Sequence, residues 1–339
     1  MSRWRWLCRC LSALLLLNAA TGLPMDADEP VYLRSAEHYA DALVAGDLDA
    51  WSAQPHNPEH PALVKLMHGV ALVPLGDSPS LVERLAAVRA VEAVGGVVFA
   101  GLLASVHPVA GLVGASHSLV IKYTSQGYLE AWPMVFMLLC LLCWRSLIGG
   151  ASMRTAWLLG LALGATAACK LLHAVPGALL LVHLAWRRPA SLSIIAPVGV
   201  ISAVALDPGL WAGPLDVWLS RLTHHGSYVP DQAMHWLLPL DALGGLLAVR
   251  WHPDVLRFGL DPLFVLGGVA GLVLAVRRKG DDWAVAAMGL TWFFACLLFL
   301  ICWPTRWAQH ALILVIPIAL GSGALWDHLW GASRASLRS

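Results

Sequence analysis

The chain has 339 residues, of which 58% are hydrophobic and 13% charged, with a formal net charge of +1 and a mean hydropathy of +0.69. Soluble domains have about 25% charged residues, so this chain has too few polar side chains to cover a water-exposed surface. The composition therefore excludes a water-soluble protein. Because no basic run stands out, we expect no nucleic-acid partner.

The first apolar segment, Leu11–Ala20, follows Arg3, Arg5 and Arg9. This pattern is typical of either a signal peptide or a first membrane span, and Ala19–Gly22 would serve as a cleavage site. We favour a retained span. Both interpretations place the residues from 26 onward outside the cytoplasm.

Nine further apolar runs approach the roughly 20 residues that a helix needs to cross the hydrocarbon of a bilayer. They cover residues 86–105, 107–123, 131–147, 155–169, 171–186, 191–206, 260–276, 283–302 and 307–326. Together with the N-terminal run, they predict an all-α polytopic membrane protein with about ten transmembrane helices. We expect one domain over residues 1–339.

Basic residues predict the orientation of these spans, because cytoplasmic loops are enriched in Lys and Arg. If the N-terminus is cytoplasmic, the basic residues of several later loops also fall inside. They are Arg145, Arg154, Arg187, Arg188, Arg277, Arg278, Lys279, Arg334 and Arg338. We therefore predict a multi-pass protein of the plasma (inner) membrane with both termini in the cytoplasm.

The same orientation places two long polar segments outside, residues 24–85 and residues 207–259. Apolar residues recur at helical spacing from Val31 to Leu43, and a second apolar stretch follows from Ala62 to Val73. Both stretches indicate juxtamembrane helices that lie along the membrane surface. Pro30 is suited to the first turn of the first of these helices.

Acidic residues are concentrated in the first of these loops. Asp28 and Glu29 either are helix N-terminal charges favoured by the dipole or supply a general base. Glu59 follows in the same loop. Glu130 begins a span in the short outer loop, where it is either another helix N-terminal charge or a functional group at the membrane boundary.

The order of these residues resembles the first extracytoplasmic loop of membrane glycosyltransferases of the GT-C fold. More specifically, it resembles the dolichyl-phosphate-mannose protein mannosyltransferases and the aminoarabinose transferases. The matching features of the loop are Asp28-Glu29-Pro30, Tyr39, Gly46-Asp47, Glu59-His60-Pro61 and Lys65. Later features are Ala168-Cys169-Lys170-Leu171, the segment Asp207–Pro214, and Arg306 before the last span.

The chain departs from the family pattern at two places. The family loop has two consecutive prolines before a leucine, whereas this chain has Pro61-Ala62-Leu63. The family commonly has an aspartate in the short second outer loop, where Glu130 stands here.

The resemblance implies a transferase that moves a sugar from a polyprenyl-phosphate-linked donor to a hydroxyl acceptor, on a protein or a glycolipid, with inversion. Asp28 is then the general base, with Glu29 as the neighbour that orients it. Glu59, His60 and Glu130 are expected to contribute to substrate binding. A divalent metal ion near Asp28 and Glu130 is compatible with the family.

The leaving lipid phosphate would need cations to stabilise its developing charge. The candidates at the outer face are Lys65, Lys122, Lys170, Arg221 and Arg306. Lys170 and Arg306 rank highest because they lie at span ends, although each could instead be a side chain that anchors a helix at the headgroups.

A transporter or flippase of a lipid-linked sugar intermediate is the alternative function. Transporters tend to show internal repeats and broken helices at the membrane midplane. The sequence shows no clear repeat, and its charges lie at the outer boundary. These observations argue against a transporter, and the resemblance favours the glycosyltransferase.

Overall fold

The computed structural model describes residues 2–76, 78–211, 213–224, 244–247, 249–252, 255–257, 259–280, 283–303, 305 and 307–336. Within these residues the chain is almost entirely helical. The first twelve helices are α1 (Ser2–Gly22), α2 (Glu29–Ala45), α3 (Leu48–Ala53), α4 (Leu63–Leu72), α5 (Leu81–Val106), α6 (Pro108–Ser116), α7 (Ser118–Ser125), α8 (Ala131–Ile148), α9 (Met153–Cys169), α10 (Val175–Arg187), α11 (Pro189–Leu206) and α12 (Pro214–His224).

Three further helices, α13 (Asp261–Arg278), α14 (Trp283–Cys302) and α15 (Val315–Ser336), complete the described part of the chain. Short 3₁₀ turns occur at Val73–Leu75, Leu171–Ala174, Pro208–Leu210 and Ala308–Leu314. An antiparallel hairpin pairs β1 (Val249–His252) with β2 (Val255–Arg257), with Val249 opposite Arg257.

Among the residues that the structure describes, five helical segments are long and apolar enough to cross a membrane. They are Leu81–Val106, Ala131–Ile148, Pro189–Leu206, Trp283–Cys302 and Ala308–Trp330. Four shorter apolar helices accompany them, at Trp6–Gly22, Leu63–Leu75, Met153–Cys169 and Leu171–Arg187. The predicted polytopic helical fold is confirmed, and the chain is an integral membrane protein.

The predicted run at residues 107–123 forms two short helices, α6 and α7, that are interrupted at His117. His117 has an extended backbone, with φ −64° and ψ 126°. Asp261 holds this break, because its carboxylate accepts hydrogen bonds from the backbone N–H of Ser118 (2.8 Å) and from its hydroxyl (2.6 Å). A short run of apolar residues can therefore contain a break that hydropathy alone does not reveal.

The chain forms two compact units. The first comprises Met1–Ala19, Gly96–Lys122 and Trp236–Ser339, and the second comprises Ala20–Gly95 and Tyr123–His235. In the second unit, α9 and α11 approach closely at small residues, since a Cβ at Gly160 would lie 2.8 Å from that of Val198. Small residues permit such contact between helices in a bilayer, where water does not drive association.

The predicted juxtamembrane helices of the first loop are present as α2 and α4. Pro30 lies in the first turn of α2, and Gly46 ends the helix in the left-handed conformation with φ 68°. A buried apolar cluster joins α2 to its neighbours through Leu33, Ala36, Ala40, Leu72 and Val88. The α2 helix therefore has a fixed position in the second unit, and its N-terminus carries the acidic pair.

Candidate functional site

Asp28 and Glu29 face different environments at the start of α2. Asp28 is the N-cap residue and is exposed, whereas Glu29 is the first helical residue and is only 1% exposed. Successive residues of a helix point about 100° apart, so one carboxylate faces outward and the other inward. The two predicted catalytic residues therefore have different chemical surroundings.

A bidentate ion pair holds Glu29 in place. Its two oxygens accept hydrogen bonds from Arg89 Nε (2.8 Å) and Nη2 (2.7 Å), from Gly127 N (2.7 Å) and from Asp26 N (2.8 Å). An arginine and a carboxylate that share two parallel hydrogen bonds interact strongly, and the two bonds fix the relative orientation of the side chains. Glu29 is thus held in a fixed orientation, and its role in orienting Asp28 stays a prediction.

Arg89 also holds the chain that leads into α2. Its guanidinium donates to the carbonyl oxygens of Leu23 (2.7 Å) and Pro24 (3.0 Å). Leu23 and Pro24, which precede Asp28, and Glu29, which follows it, therefore all accept hydrogen bonds from the buried Arg89. Sequence reasoning missed Arg89, which lies within the run predicted at residues 86–105. An ionisable residue inside an apolar run is itself a signal of function.

Buried side chains from three elements hold the loop of residues 56–60, which we call the 56–60 loop. Ser35 Oγ donates to the carbonyl of His56 (3.2 Å), and Arg221 Nε donates to that of Pro58 (3.0 Å). Lys65 Nζ donates to the carbonyls of Asn57 (2.8 Å) and His60 (2.7 Å). Four of the five carbonyl groups are thus fixed by side chains, and the loop presents Glu59 and His60 from a defined backbone.

Lys65 is fully buried beneath this loop. Burial and, to a smaller extent, the nearby Arg221 lower the pKa of its ammonium from 10.5 to about 7, while Asp207 and Glu59 oppose the shift. Through its hydrogen bonds to the carbonyl groups of Asn57 and His60, Lys65 holds the 56–60 loop. Direct contact with a substrate phosphate, as predicted from the sequence, stays a prediction.

Arg221 and Asp207 form a second buried ion pair beside Lys65. Asp207 also accepts from the backbone N–H of Ala62 (3.1 Å) and from Gln54 Nε2 (3.2 Å), and Arg221 Nη2 donates to Gln54 Oε1 (3.0 Å). This network connects the first loop to the start of the second long segment. Gln54, which the sequence analysis did not single out, is part of it.

Glu130 and Lys170 form a third buried ion pair. Glu130 is 0% exposed and Lys170 is 3% exposed. The second oxygen of Glu130 accepts from the backbone N–H of Leu129 at 2.7 Å. The structure therefore brings together two residues that the sequence analysis selected separately.

Three tyrosines lie beside the acidic residues. The Tyr128 ring is 5.6 Å from that of Tyr32 and 4.9 Å from that of Tyr123, and its hydroxyl donates to Asp26 Oδ1 at 2.8 Å. We call Tyr32, Tyr123 and Tyr128 the tyrosine cluster. The ring of His60 lies 6.2 Å from that of Tyr32, at one side of the cluster.

Several carboxylates act electrostatically on the tyrosine cluster. Burial raises the pKa of Tyr32, and the charges of Glu130, Asp28 and Glu59 raise it further. Burial and the charge of Asp28 likewise raise the pKa of Tyr128. Both phenols therefore remain protonated at neutral pH. The charges of Asp28, Glu59 and Glu130 thus all act on the Tyr32 phenol.

Among the residues that the structure describes, no group of three or more His, Cys, Asp or Glu side chains could hold a metal ion. Glu130 is engaged by Lys170 and the Leu129 amide. A metal ion bound by Asp28 and Glu130 stays a prediction.

Two further cations were predicted to stabilise the lipid phosphate. Lys122 is buried in α7, and Arg306 lies outside the described residues.

No protein-family model matches the chain, and no curated protein matches it. Solved structures do match it, among them two structures of one protein, ArnT. The crystal structure of ArnT from Cupriavidus metallidurans bound to undecaprenyl phosphate matches with a TM-score of 0.68 and 16% identity, over 99% of this chain and 63% of that chain. The structure of the same protein in the apo state matches with a TM-score of 0.66 and 16% identity, over 98% of this chain and 62% of that chain.

The chain thus spans slightly less than two thirds of the length of ArnT, and the match covers nearly every residue of the chain. At 16% identity, the likeness establishes the fold. The predicted architecture is confirmed: the chain has the GT-C fold that ArnT has.

Proposed function

We propose that this protein is a membrane glycosyltransferase that moves a sugar from a polyprenyl-phosphate-linked donor to a hydroxyl group of a protein or a glycolipid, with inversion. One observation carries the proposal, namely the likeness over 99% of the chain to a structure that is bound to undecaprenyl phosphate. The arrangement of Asp28 beside the tyrosine cluster supports it.

In this proposal Asp28 is the general base. Attack of a hydroxyl on an anomeric carbon requires removal of the hydroxyl proton as the new bond forms, and a carboxylate within hydrogen-bond reach can accept it. Asp28 is exposed, whereas its neighbour Glu29 is buried and paired with Arg89. Glu29 and Arg89 would keep Asp28 in one position.

The departing lipid phosphate would be stabilised by cations. Lys170 is the first candidate, because its ammonium lies beside Glu130 at the end of α9. Arg306 is the second candidate, from its place in the sequence before the last apolar run. Lys65 and Arg221 would act by fixing the 56–60 loop, which carries Glu59 and His60.

The site would face the extracytoplasmic side of the plasma membrane, because the loop that carries Asp28 precedes spans whose basic connections fall inside. A polyprenyl donor would then reach the protein within the lipid.

Asp28→Asn tests the assignment of the base. We expect turnover to fall by at least about 100-fold, since general-base catalysis contributes roughly that much or more. Purified protein would be supplied with a polyprenyl-phosphate sugar and hydroxyl acceptors of both classes, and release of polyprenyl phosphate would be measured. Asp41→Asn is the matched control, because Asp41 is an exposed aspartate on the same helix.

Full turnover by the Asp28→Asn variant would refute the base assignment. If the unmodified protein turns over no polyprenyl-phosphate sugar but moves such a lipid across vesicle membranes, the transporter alternative is correct instead.

A further inference from the structure

A buried pair of side chains, His68 and Glu92, contacts the element that carries Glu130. His68 lies on α4 and Glu92 on α5, and both are 0% exposed. His68 Nε2 is 2.9 Å from Glu92 Oε1. A buried carboxylate inside an apolar helix is costly unless it is paired, which indicates that this one has a role.

The second oxygen of Glu92 makes a different contact. Glu92 Oε2 accepts the backbone N–H of Ala131 at 3.0 Å. Ala131 is the first residue of α8 and directly follows Glu130. This N–H is one of those that a helix leaves without an internal partner, and a carboxylate is favoured there by the helix dipole. Glu92 therefore caps α8 from a neighbouring helix.

The start of α8 packs closely against α5 at this point. A Cβ at Gly95 would lie 2.9 Å from that of Ala131, and Trp132 Nε1 donates to the carbonyl of Val91 at 3.2 Å. Because the contact is tight, a shift of Glu92 would be transmitted to the backbone at residue 130. The Glu92 carboxylate also interacts electrostatically with both Glu130 and Lys170.

We propose that Glu92, held by His68, is a positioning residue that fixes the Glu130–Lys170 ion pair through the N–H of Ala131, an inference that rests on the proposed function. Glu92 does not take part in the chemistry. It determines where the Lys170 ammonium lies when the lipid phosphate departs. Small misplacements of such groups are expensive, since a shift of about 1 Å can cost about 100-fold in rate.

The test is a double-mutant cycle between residues 92 and 130. We expect Glu92→Ala to lower kcat about tenfold or more in the unmodified background, with a smaller change in KM. In a Glu130→Gln background the same change should lower kcat less than about twofold, because the ion pair on which Glu92 acts is already lost. An equal loss in both backgrounds would overturn the proposal.

Two further variants separate positioning from folding. Glu92→Gln keeps an oxygen that can accept the Ala131 N–H, and we expect it to retain at least about one third of the turnover. Glu83→Gln changes an exposed glutamate of the same helix and should leave turnover unchanged. A Glu92→Gln variant as inactive as Glu92→Ala would contradict the assigned contact.

A readout that needs no turnover distinguishes this proposal from the proposed function. Hydrogen exchange of the peptide around Ala131 should be faster in Glu92→Ala than in Glu92→Gln, and the melting temperatures of the cycle should be non-additive. If the unmodified protein has no activity, the proposed function fails, while additive melting temperatures would reject the coupling of Glu92 to Glu130.

Discussion

Individual charged residues are paired in the part of the second unit that surrounds the candidate site. The buried ion pairs are Glu29–Arg89, Glu130–Lys170 and Asp207–Arg221. A charge removed from water costs several kcal/mol unless an opposite charge and hydrogen bonds replace the hydration. The pairs therefore explain how a chain with so few charged residues keeps a group of them out of water.

Glu29→Gln tests this principle at the residue that we propose orients Asp28. The amide keeps the size of the carboxylate but leaves the Arg89 guanidinium buried without its counter-charge. We expect a loss of about 3–5 kcal/mol of stability, measured by unfolding in detergent. The comparison is Glu37→Gln on the same helix, whose partner is Arg84 and whose pair is about 30% exposed.

The Glu37→Gln variant should lose less than about 1 kcal/mol, because exposed ion pairs contribute little. Equal losses in the two variants would mean that burial of the Glu29–Arg89 pair does not determine its contribution.

The residues of the candidate site could be identified from the sequence only in part. Of the residues that the sequence analysis selects, Glu29, Glu130 and Lys170 lie in buried ion pairs and Asp28 is exposed at the start of α2. Their roles in a reaction stay predictions. Arg89 and Glu92 were missed because their helix was assigned from its average hydropathy. Their partners are 60 and 24 residues away in sequence, and only helix packing brings them together.

At the scale of elements, the predicted helices agree closely with those observed. The run predicted at 131–147 is the helix Ala131–Ile148, and that at 191–206 is the helix Pro189–Leu206. Long apolar runs are a strong signal because the bilayer itself sets their length. The break at His117 was not predicted, since it depends on Asp261, which is 144 residues further along the chain.

Close packing of α2 on α4 leads to a prediction about Gly69. A Cβ at this position would lie 2.8 Å from that of Tyr39 and 3.0 Å from the carbonyl oxygen of Ala36. We expect Gly69→Ala to cost about 1–3 kcal/mol, because the two helices must separate.

Gly101→Ala is the control for this change, since a Cβ there would meet nothing within 4 Å. The control should be neutral or stabilising by up to about 1 kcal/mol, because alanine favours the helix. The unfolding temperature in detergent would be measured for both variants. An unfolding temperature of Gly69→Ala equal to that of the unmodified protein would show that α2 and α4 have room for the added methyl group.

At the scale of the whole molecule, the orientation in the membrane stays a prediction from the basic loops. Ala53 belongs to the first loop and Ser152 follows α8, and both are exposed. A cysteine introduced at Ala53 should react with a membrane-impermeant maleimide in intact cells, and one at Ser152 should react only after the membrane is opened. The exposed Cys10 and Cys302 would first be replaced by serine.

The opposite labelling pattern would place the candidate site in the cytoplasm. It would then exclude the extracytoplasmic glycosyltransferase that we propose, whatever activity the protein has.

The construction of the 56–60 loop has a consequence for protein engineering. Its carbonyl groups are held by Ser35, Lys65 and Arg221, which come from three different helices. A peptide of this sequence, or a graft of it onto another scaffold, would lack these donors and would not keep the loop's shape. Transplanting this loop with its shape intact would therefore require moving α2, α4 and α12 together.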